Sequence, residues 1–153
     1  MPITQTASNA QLGWGTGLFR GNLASLSAGG FTQVAEVTRC GSPVQERERV
    51  ERTHLASPGA KREYRAGLGD LGNMDAECNF RPDEASQDFT TGIIADYNGS
   101  VERWWQVLYT QFTLEYTLQF TAYVSSYGSV EATPEGLLKM PFALQMLSDP
   151  TWS

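Results

Sequence analysis

Residues 114–125 read Leu-Glu-Tyr-Thr-Leu-Gln-Phe-Thr-Ala-Tyr-Val-Ser, so that apolar and polar side chains alternate along the stretch. The apolar set is Leu114, Tyr116, Leu118, Phe120, Ala122 and Val124. Successive side chains of a strand point to opposite faces of a sheet. The period of two therefore predicts a central strand with one face in the core. At about 3.3 Å per residue it would extend for roughly 40 Å, which is long for a strand of a compact domain.

Three further segments alternate in the same way and predict strands. Their apolar positions are Met74, Ala76, Cys78 and Phe80; Trp105, Val107 and Tyr109; and Leu138, Met140, Phe142, Leu144 and Met146. Pro141, in the last segment, has no N–H for a strand ladder, which indicates an edge strand or a strand that faces a gap. A fourth strand is predicted over residues 31–38, with Phe31, Ala35 and Val37 on one face.

The connection between the Trp105 strand and the 114–125 strand carries no Gly, Pro or Asn that would mark a turn. The chain either continues as one very long strand or reverses its direction. We interpret the sequence as a reversal near Thr110–Thr113.

A period of four follows Pro82 and predicts a helix over residues 83–98. Its apolar positions are Ala85, Phe89, Ile93 and Tyr97, and Gly99 stands where a helix would end. Thr90, Thr91 and Gly92 weaken this helix. Together these patterns predict a mainly β chain with one helix.

Charge is distributed unevenly along the chain. The 153 residues include 11 basic and 17 acidic ones, a formal charge of −6. Segment 39–65 holds seven of the basic and four of the acidic residues, a net of +3, which leaves −9 for the rest. A strongly basic nucleic-acid reader is therefore not expected. Such segregation favours head-to-tail contacts between copies; the alternative is a solvated surface loop.

Features of enzymes and metal sites are few. His54 is the only histidine, Cys40 and Cys78 lack zinc spacing and are expected to be free thiols, and no complete catalytic set occurs. Residues 67–72 match the dinucleotide fingerprint, but a strand pattern follows them where that motif needs a helix. We therefore predict no enzyme, no cofactor and no metal. No signal peptide or membrane span is predicted either, which indicates synthesis in a cytoplasm.

The order of these segments resembles that of the major tail tube proteins of long-tailed, lambda-like siphovirus bacteriophages. The resemblance is carried by Gly13–Thr16, Phe31–Thr38, Thr53–Gly59 with Arg62–Tyr64, Gly67–Gly72 followed by the Met74–Phe80 strand, and Phe120–Ser126 with the last strand. It extends over nearly the whole chain. No one of these motifs is diagnostic, but their order and spacing together are fairly specific.

The resemblance implies one domain over 1–153, a β-sandwich or partial barrel with one flanking helix. Residues 1–30 would form an N-terminal arm and first strand, Gly67–Gly72 a bend, and 39–65 a charged loop that reaches the next ring. Six copies would close a ring, and rings would stack into a hollow tube through which double-stranded DNA passes. Tape-measure and tail terminator or tip proteins would be partners in the tail of the virion, with no membrane.

Two sets of residues are predicted to act in this assembly. Contacts between subunits or rings are expected at Glu46, Arg47, Glu48, Arg49 and Arg52. The wet lumen face is expected at Glu115, Thr117, Gln119 and Thr121. A lumen rich in Lys and Arg would hold DNA tightly, so an acidic lining suits passage of the genome.

Two alternatives remain. The subunit could belong to a related machine, namely a contractile tail, a type VI secretion tube or a gene transfer agent. A different class is a β-sandwich carbohydrate-binding module that uses the tryptophans. Trp104 and Trp105 are neighbours and would point to opposite faces of a strand, so at most one of them lies in the core.

Overall fold

The computed structural model of the chain describes residues 15–21, 30–112, 114–128 and 130–153. Ten strands and one helix occur in these ranges: β1 Gly17–Gly21, β2 Thr32–Gln33, β3 Val37–Cys40, β4 Glu46–Glu51, β5 Tyr64–Asp70, β6 Asn73–Asn79, α1 Ile93–Asn98, β7 Glu102–Tyr109, β8 Tyr116–Tyr127, β9 Lys139–Met146 and β10 Thr151–Trp152. None of the described helices is long and apolar enough to cross a membrane. Most of the predicted N-terminal segment over 1–30 lies outside the described residues.

Eight of the ten strands form one antiparallel sheet, in the order β2-β1-β7-β8-β9-β6-β3 with β10 added to β8, and β4 and β5 form a separate pair. β8 is its longest strand and matches the predicted central strand, with Leu118, Phe120, Ala122 and Val124 buried. β10 continues along β8 beyond the end of β9, with Thr151 opposite Gln119. The mainly β prediction is confirmed.

The predicted reversal between the two central strands is also confirmed. β7 and β8 pair antiparallel, with Tyr109 opposite Tyr116. Trp105 and Val107 on β7 are buried, whereas Trp104 is only half-buried. The two neighbouring tryptophans thus point to opposite faces of the sheet, as the period of two requires.

The sheet curls around its core because its two edges are joined by a short connection. β2 and β3 form opposite edges, yet only Val34, Ala35 and Glu36 separate them. Three residues span at most about 14 Å between the flanking Cα atoms. Val34 is buried there, and its N–H donates to the Leu18 carbonyl of β1 at 2.8 Å. In the described chain β2 and β3 do not pair with each other, so the curled sheet is a partial barrel.

The concave face of the sheet carries the core, which α1 and the segment before it cover. Apolar side chains of β1, β6, β7, β8 and β9 form one cluster, and Ile93 of α1 is fully buried against it. Gln87 is also fully buried; its amide donates to the Ala35 carbonyl at 2.8 Å and accepts from the Arg81 N–H at 2.8 Å. Both ends of this side chain are therefore satisfied.

The predicted helix over 83–98 is too long, since α1 contains only Ile93–Asn98 and turns precede it. The Asp88 carboxylate accepts the N–H groups of Thr90, Thr91 and Gly92. A short acceptor that binds backbone N–H groups in this way competes with helix formation. Gly92 then serves as the N-cap of α1.

Three other predictions need correction. The predicted strand 31–38 is broken between β2 and β3 by a turn at Glu36, whose φ is +52°, and the buried side chain is that of Val34. β9 is an interior strand between β8 and β6, so of the two positions that Pro141 indicated the edge is wrong, whereas a strand that faces a gap agrees with the register. The last pair between β8 and β9 is Tyr127 opposite Phe142, and Pro141 lies one residue beyond it. At that position no strand among the described residues would accept an N–H from residue 141. Residues 67–70 belong to β5, and only residues 71 and 72 form the bend.

Candidate assembly surfaces

A two-stranded hairpin extends from the curled sheet, and we call residues 44–72 the arm. β4 and β5 pair only with each other, from Glu46 opposite Asp70 to Glu51 opposite Tyr64. Every residue of β4 and all of β5 except Gly67 are exposed. An isolated two-stranded hairpin is marginally stable in water. The arm therefore has the form of an element that another surface completes.

The arm is attached to the sheet through a tight base. The Val44 N–H donates to the Asn73 carbonyl at 3.1 Å, and the Gly72 carbonyl accepts from the Met146 N–H and the Gln145 amide. Gly72 has a φ of +68°, and a Cβ at this position would lie 1.7 Å from the Val44 carbonyl oxygen. Only glycine fits at this close approach of the two chain segments.

Glu63 organises the tip of the arm. Its carboxylate accepts from the Ser57 hydroxyl at 3.2 Å and lies 3.8 Å from His54 and 4.0 Å from Arg52. His54 is exposed and accepts the Ala56 N–H through Nδ1, as expected for a surface histidine. Leu55 lies between His54 and Ala56 in the sequence, and its side chain is fully exposed. The tip thus consists of hydrogen-bonded polar side chains next to the exposed apolar side chain of Leu55.

The five predicted contact residues all lie exposed on the arm, but they do not form one cluster. Arg49 stacks over the Tyr64 ring at 4.1 Å, a cation–π contact. Arg52 lies beside Glu63 at the tip, whereas Glu46, Arg47 and Glu48 lie near the base. Residues 49–65 carry five basic and two acidic side chains, so the distal half of the arm is the basic part. Whether these residues contact another subunit stays a prediction.

The predicted lumen residues follow the convex face of β8, away from the core. Thr117, Gln119 and Thr121 are half-buried, and Glu115 is exposed just before the strand. The C-terminal residues partly cover this face, because Thr121 contacts the Ser148 hydroxyl at 2.8 Å. None of the four lies in the core, but the lumen assignment stays a prediction.

A buried ion cluster fixes α1 against the sheet. Asp96 of α1 is 2% exposed and accepts from Arg20 of β1 at 3.0 Å and from Arg103 of β7 at 2.9 Å. The Arg20 guanidinium also donates to the Thr91 carbonyl. Burial lowers the pKa of Arg20 below its ordinary value.

The sequence held one indication of this cluster. Arg20 and Arg103 stand at core-facing positions, since they share a face with the buried Leu18 and Trp105. A cation that interrupts an apolar face needs a buried acceptor. The alternation of β7 could have revealed this, but no local signal identifies Asp96 as the partner.

A cleft of about 470 Å³ opens where α1 ends and β7 begins, and we call it the tyrosine cleft. Its lining includes Tyr97, Glu102, Tyr123 and Ser125. Tyr97 packs edge to face on Tyr127 with ring centroids 5.0 Å apart. Glu102 is exposed and has no ion pair among the described residues. The cleft joins aromatic rings to a carboxylate.

The remaining reactive side chains form no catalytic or metal-binding arrangement within the described ranges. No group of three His, Cys, Asp or Glu side chains could hold a metal ion there. Cys40 and Cys78 are both free, and burial raises the pKa of each thiol to about 11. The fingerprint-like residues 67–70 run along a strand of the arm, which does not provide the turn and helix that bind a dinucleotide.

No protein-family model and no curated protein sequence matches the chain. Solved structures do share its fold. A chain from the tail of an empty gene transfer agent (GTA) particle with C6 symmetry has a TM-score of 0.70 at 18% identity and covers 94% of this chain and 99% of its own. A sheath/tube terminator structure of an extracellular contractile injection system has a TM-score of 0.68 at 11% identity, covering 97% and 99%. The SPP1 tail tube has a TM-score of 0.61 at 13% identity, covering 90% and 76%.

At these identities the likeness shows the fold. The predicted resemblance to tail tube proteins is confirmed at that level, and the partial barrel with one short helix matches these structures. They come from several kinds of particle, so they do not single out the siphovirus type. Their names describe a tail, a tail tube and a sheath/tube terminator.

Proposed function

We propose that the chain is the tube subunit of a phage-like tail and assembles with copies of itself into a stacked tube. The arm carries this proposal, because an exposed hairpin without a core of its own needs another surface to complete it. The shared fold with chains from a tail, a tail tube and a tube terminator supports it.

The finer proposal is a ring of six copies, with rings stacked head to tail around a lumen for double-stranded DNA. A head-to-tail contact uses two different surfaces and does not close on itself, so it propagates as a filament. The basic distal arm in an otherwise acidic chain supports such a contact. The uncharged side chains of Thr117, Gln119 and Thr121 suit a lining that lets DNA slide.

Partners and location follow from the same proposal. The subunit would reside in the tail of a virion after synthesis in the host cytoplasm. It would meet a tape-measure protein in the lumen and terminator or tip proteins at the tube ends. A chain with the same fold occurs in the structure of a sheath/tube terminator, which supports the idea that end proteins are built on the same scaffold.

Electron microscopy of the purified protein at increasing concentration, with light scattering on the same samples, tests the proposal. We expect rings and hollow tubes above a threshold concentration. Reconstruction of the tubes would show the number of copies in a ring and which face of β8 lines the channel. Monodisperse monomers at every concentration, also after addition of preformed tube ends, would refute the proposal.

A triple variant with Arg47, Arg49 and Arg52 all changed to Ala tests the predicted contact residues. We expect the threshold for assembly to rise while the monomer stays folded, because these side chains lie outside the core. The same triple change at Arg39, Arg81 and Lys139, which lie outside the arm, removes the same number of charges and is the matched control. Equal thresholds for both triple variants would contradict a specific role for the predicted set.

Two other functions are separable from this one. A tube of a contractile or secretion machine keeps the fold, and the likeness to the contractile injection system supports it. Co-assembly with a sheath protein would distinguish that tube. A carbohydrate-binding module would have only Trp152 as an exposed tryptophan among the described residues, since Trp105 is buried and Trp104 is half-buried. A glycan-binding screen of a monomer tests it.

A further inference from the structure

We propose that the tyrosine cleft is the surface on the next copy that receives the distal half of the arm, residues 49–65. The inference rests on the proposed head-to-tail assembly and adds the acceptor surface to it. Direction, chemistry and an unpaired strand edge support the match.

The arm and the cleft face opposite directions along the sheet. After β3 the chain follows β6 toward its first residue, where Val44 bonds to Asn73, and the arm leaves the sheet in the direction in which β9 ends. Tyr123 of the cleft is level with the arm base, since it pairs with Gln145 and Gln145 pairs with Asn73, and from that row the cleft extends along β8 toward Ser125. β8 and β9 are antiparallel, so these two directions are opposite. When copies follow one another head to tail, the arm of one points toward the cleft of the next.

The two surfaces are complementary in charge. The distal arm carries a net of +3, and Lys61 and Arg65 have no ion pair within the described residues. Glu102 lines the cleft, and Glu131 and Glu135 are exposed on the loop that follows β8. Opposite potentials steer association and fix the orientation of the partners.

The two surfaces also match in apolar character. Leu55 is fully exposed at the arm tip, whereas Tyr97 and Tyr123 present rings in the cleft. Burial of an exposed leucine side chain stabilises a contact, because its apolar surface is removed from water. An aromatic cleft that also holds a carboxylate suits an apolar side chain flanked by cations.

The cleft contains a free strand edge as well. β7 begins at Glu102 opposite Tyr123, while β8 continues for four more residues, to Tyr127. Among the described residues no strand pairs with that side of Val124–Tyr127. An unpaired edge is a template for an added extended segment. The backbone of the arm can thus bind where its side chains fit.

Cross-linking between Leu55→Cys at the arm tip and Ser100→Cys, which lines the cleft, tests the inference. The native thiols are partly or fully buried and have raised pKa values, so the new cysteines are the reactive ones. Two single variants are mixed, assembled and treated with a short bis-maleimide. We expect covalent dimers in the mixture, and a ladder of multimers when one chain carries both changes. Leu55→Cys with Thr38→Cys, an exposed position on β3, is the matched control.

Glu102→Arg adds a second measurement. The side chain is exposed, so the monomer should keep its melting temperature, while the threshold for assembly rises by about tenfold through repulsion of the basic arm. Tubes that form without the Leu55–Ser100 cross-link, or with an unchanged threshold for Glu102→Arg, would overturn the inference and leave the proposed function intact. Absence of any assembly by the unsubstituted protein would refute both.

Discussion

Asp96→Ala is predicted to be among the most destabilising single changes in the chain. The carboxylate is almost fully buried and holds two guanidinium groups, Arg20 at 3.0 Å and Arg103 at 2.9 Å. Removal of one partner of a buried ion pair costs about 3–5 kcal/mol, because the remaining charge is left without a partner. The Arg103 side chain is 25% exposed, so water relieves part of this cost. We therefore expect a loss of about 3 kcal/mol in the free energy of unfolding.

The measurement is thermal and urea unfolding of the monomer, followed by tryptophan fluorescence. For a chain of this size, about 3 kcal/mol corresponds to a fall in Tm of roughly 6–12 °C. Asp75→Ala is the matched control, since Asp75 is exposed on β6, and its effect should stay within about 0.5 kcal/mol. Asp96→Asn keeps the shape and loses the charge, so an intermediate value is expected. A loss below about 1 kcal/mol for Asp96→Ala would refute the reasoning that the cluster anchors α1.

Three further predictions concern the arm, the turn before α1 and the thiols. Gly72→Ala should raise the assembly threshold and lower Tm, whereas Gly59→Ala, with the same φ of +68° but open space around it, should cost only about 1 kcal/mol; equal Tm values would contradict the close approach at the arm base. Backbone N–H donors lower the pKa of Asp88 to about 2, so its stabilisation is complete above about pH 4 and is lost as the pH falls toward 2. Urea unfolding between pH 2 and 5 should therefore show a flatter profile for Asp88→Asn. Cys40 and Cys78 should react with a thiol reagent at pH 8 only after denaturation, because burial raises both pKa values to about 11; fast reaction of the native protein would contradict their burial.

The strands were predictable because each has one face in the core. Alternation located β6, β7, β8 and β9 to within a few residues, and the buried side chains are the ones that it indicates. β2 and β3 escaped this reasoning, since both are short and mostly exposed and the turn at Glu36 separates them. Their pairing is decided by the curl of the whole sheet.

The helix and the arm show where local patterns fail. The period of four before Ile93 does not produce a helix, because the Asp88 carboxylate accepts three backbone N–H groups and stabilises turns instead. The charges of segment 39–65 favoured either a contact between copies or a solvated surface loop, and β4 in this segment is exposed. They did not indicate a hairpin, because strand pairing without an apolar face leaves no periodic signal in the sequence.

The ion cluster and the tyrosine cleft could not have been assigned from the sequence. Arg20 and Asp96 are 76 residues apart and meet only after β1 has joined β7 and α1 has folded over the sheet. Tyr97 and Tyr123 likewise belong to different elements. They share a cleft because β8 continues for four residues beyond Tyr123, the partner of the first residue of β7. Both features depend on the register between strands, which alternation alone does not fix.

The connection of Val34, Ala35 and Glu36 makes the curvature of the sheet a covalent property of the chain. In addition to packing, this connection of three residues limits how far β2 and β3 can separate, since the distance between them cannot exceed the length of the extended connection. A break in the backbone at this connection would let β2 and β3 move apart and make both unpaired strand edges accessible to other chains. A circular permutant with its new termini at Ala35 should therefore aggregate, whereas new termini in the exposed loop at Pro134 would leave the connection intact.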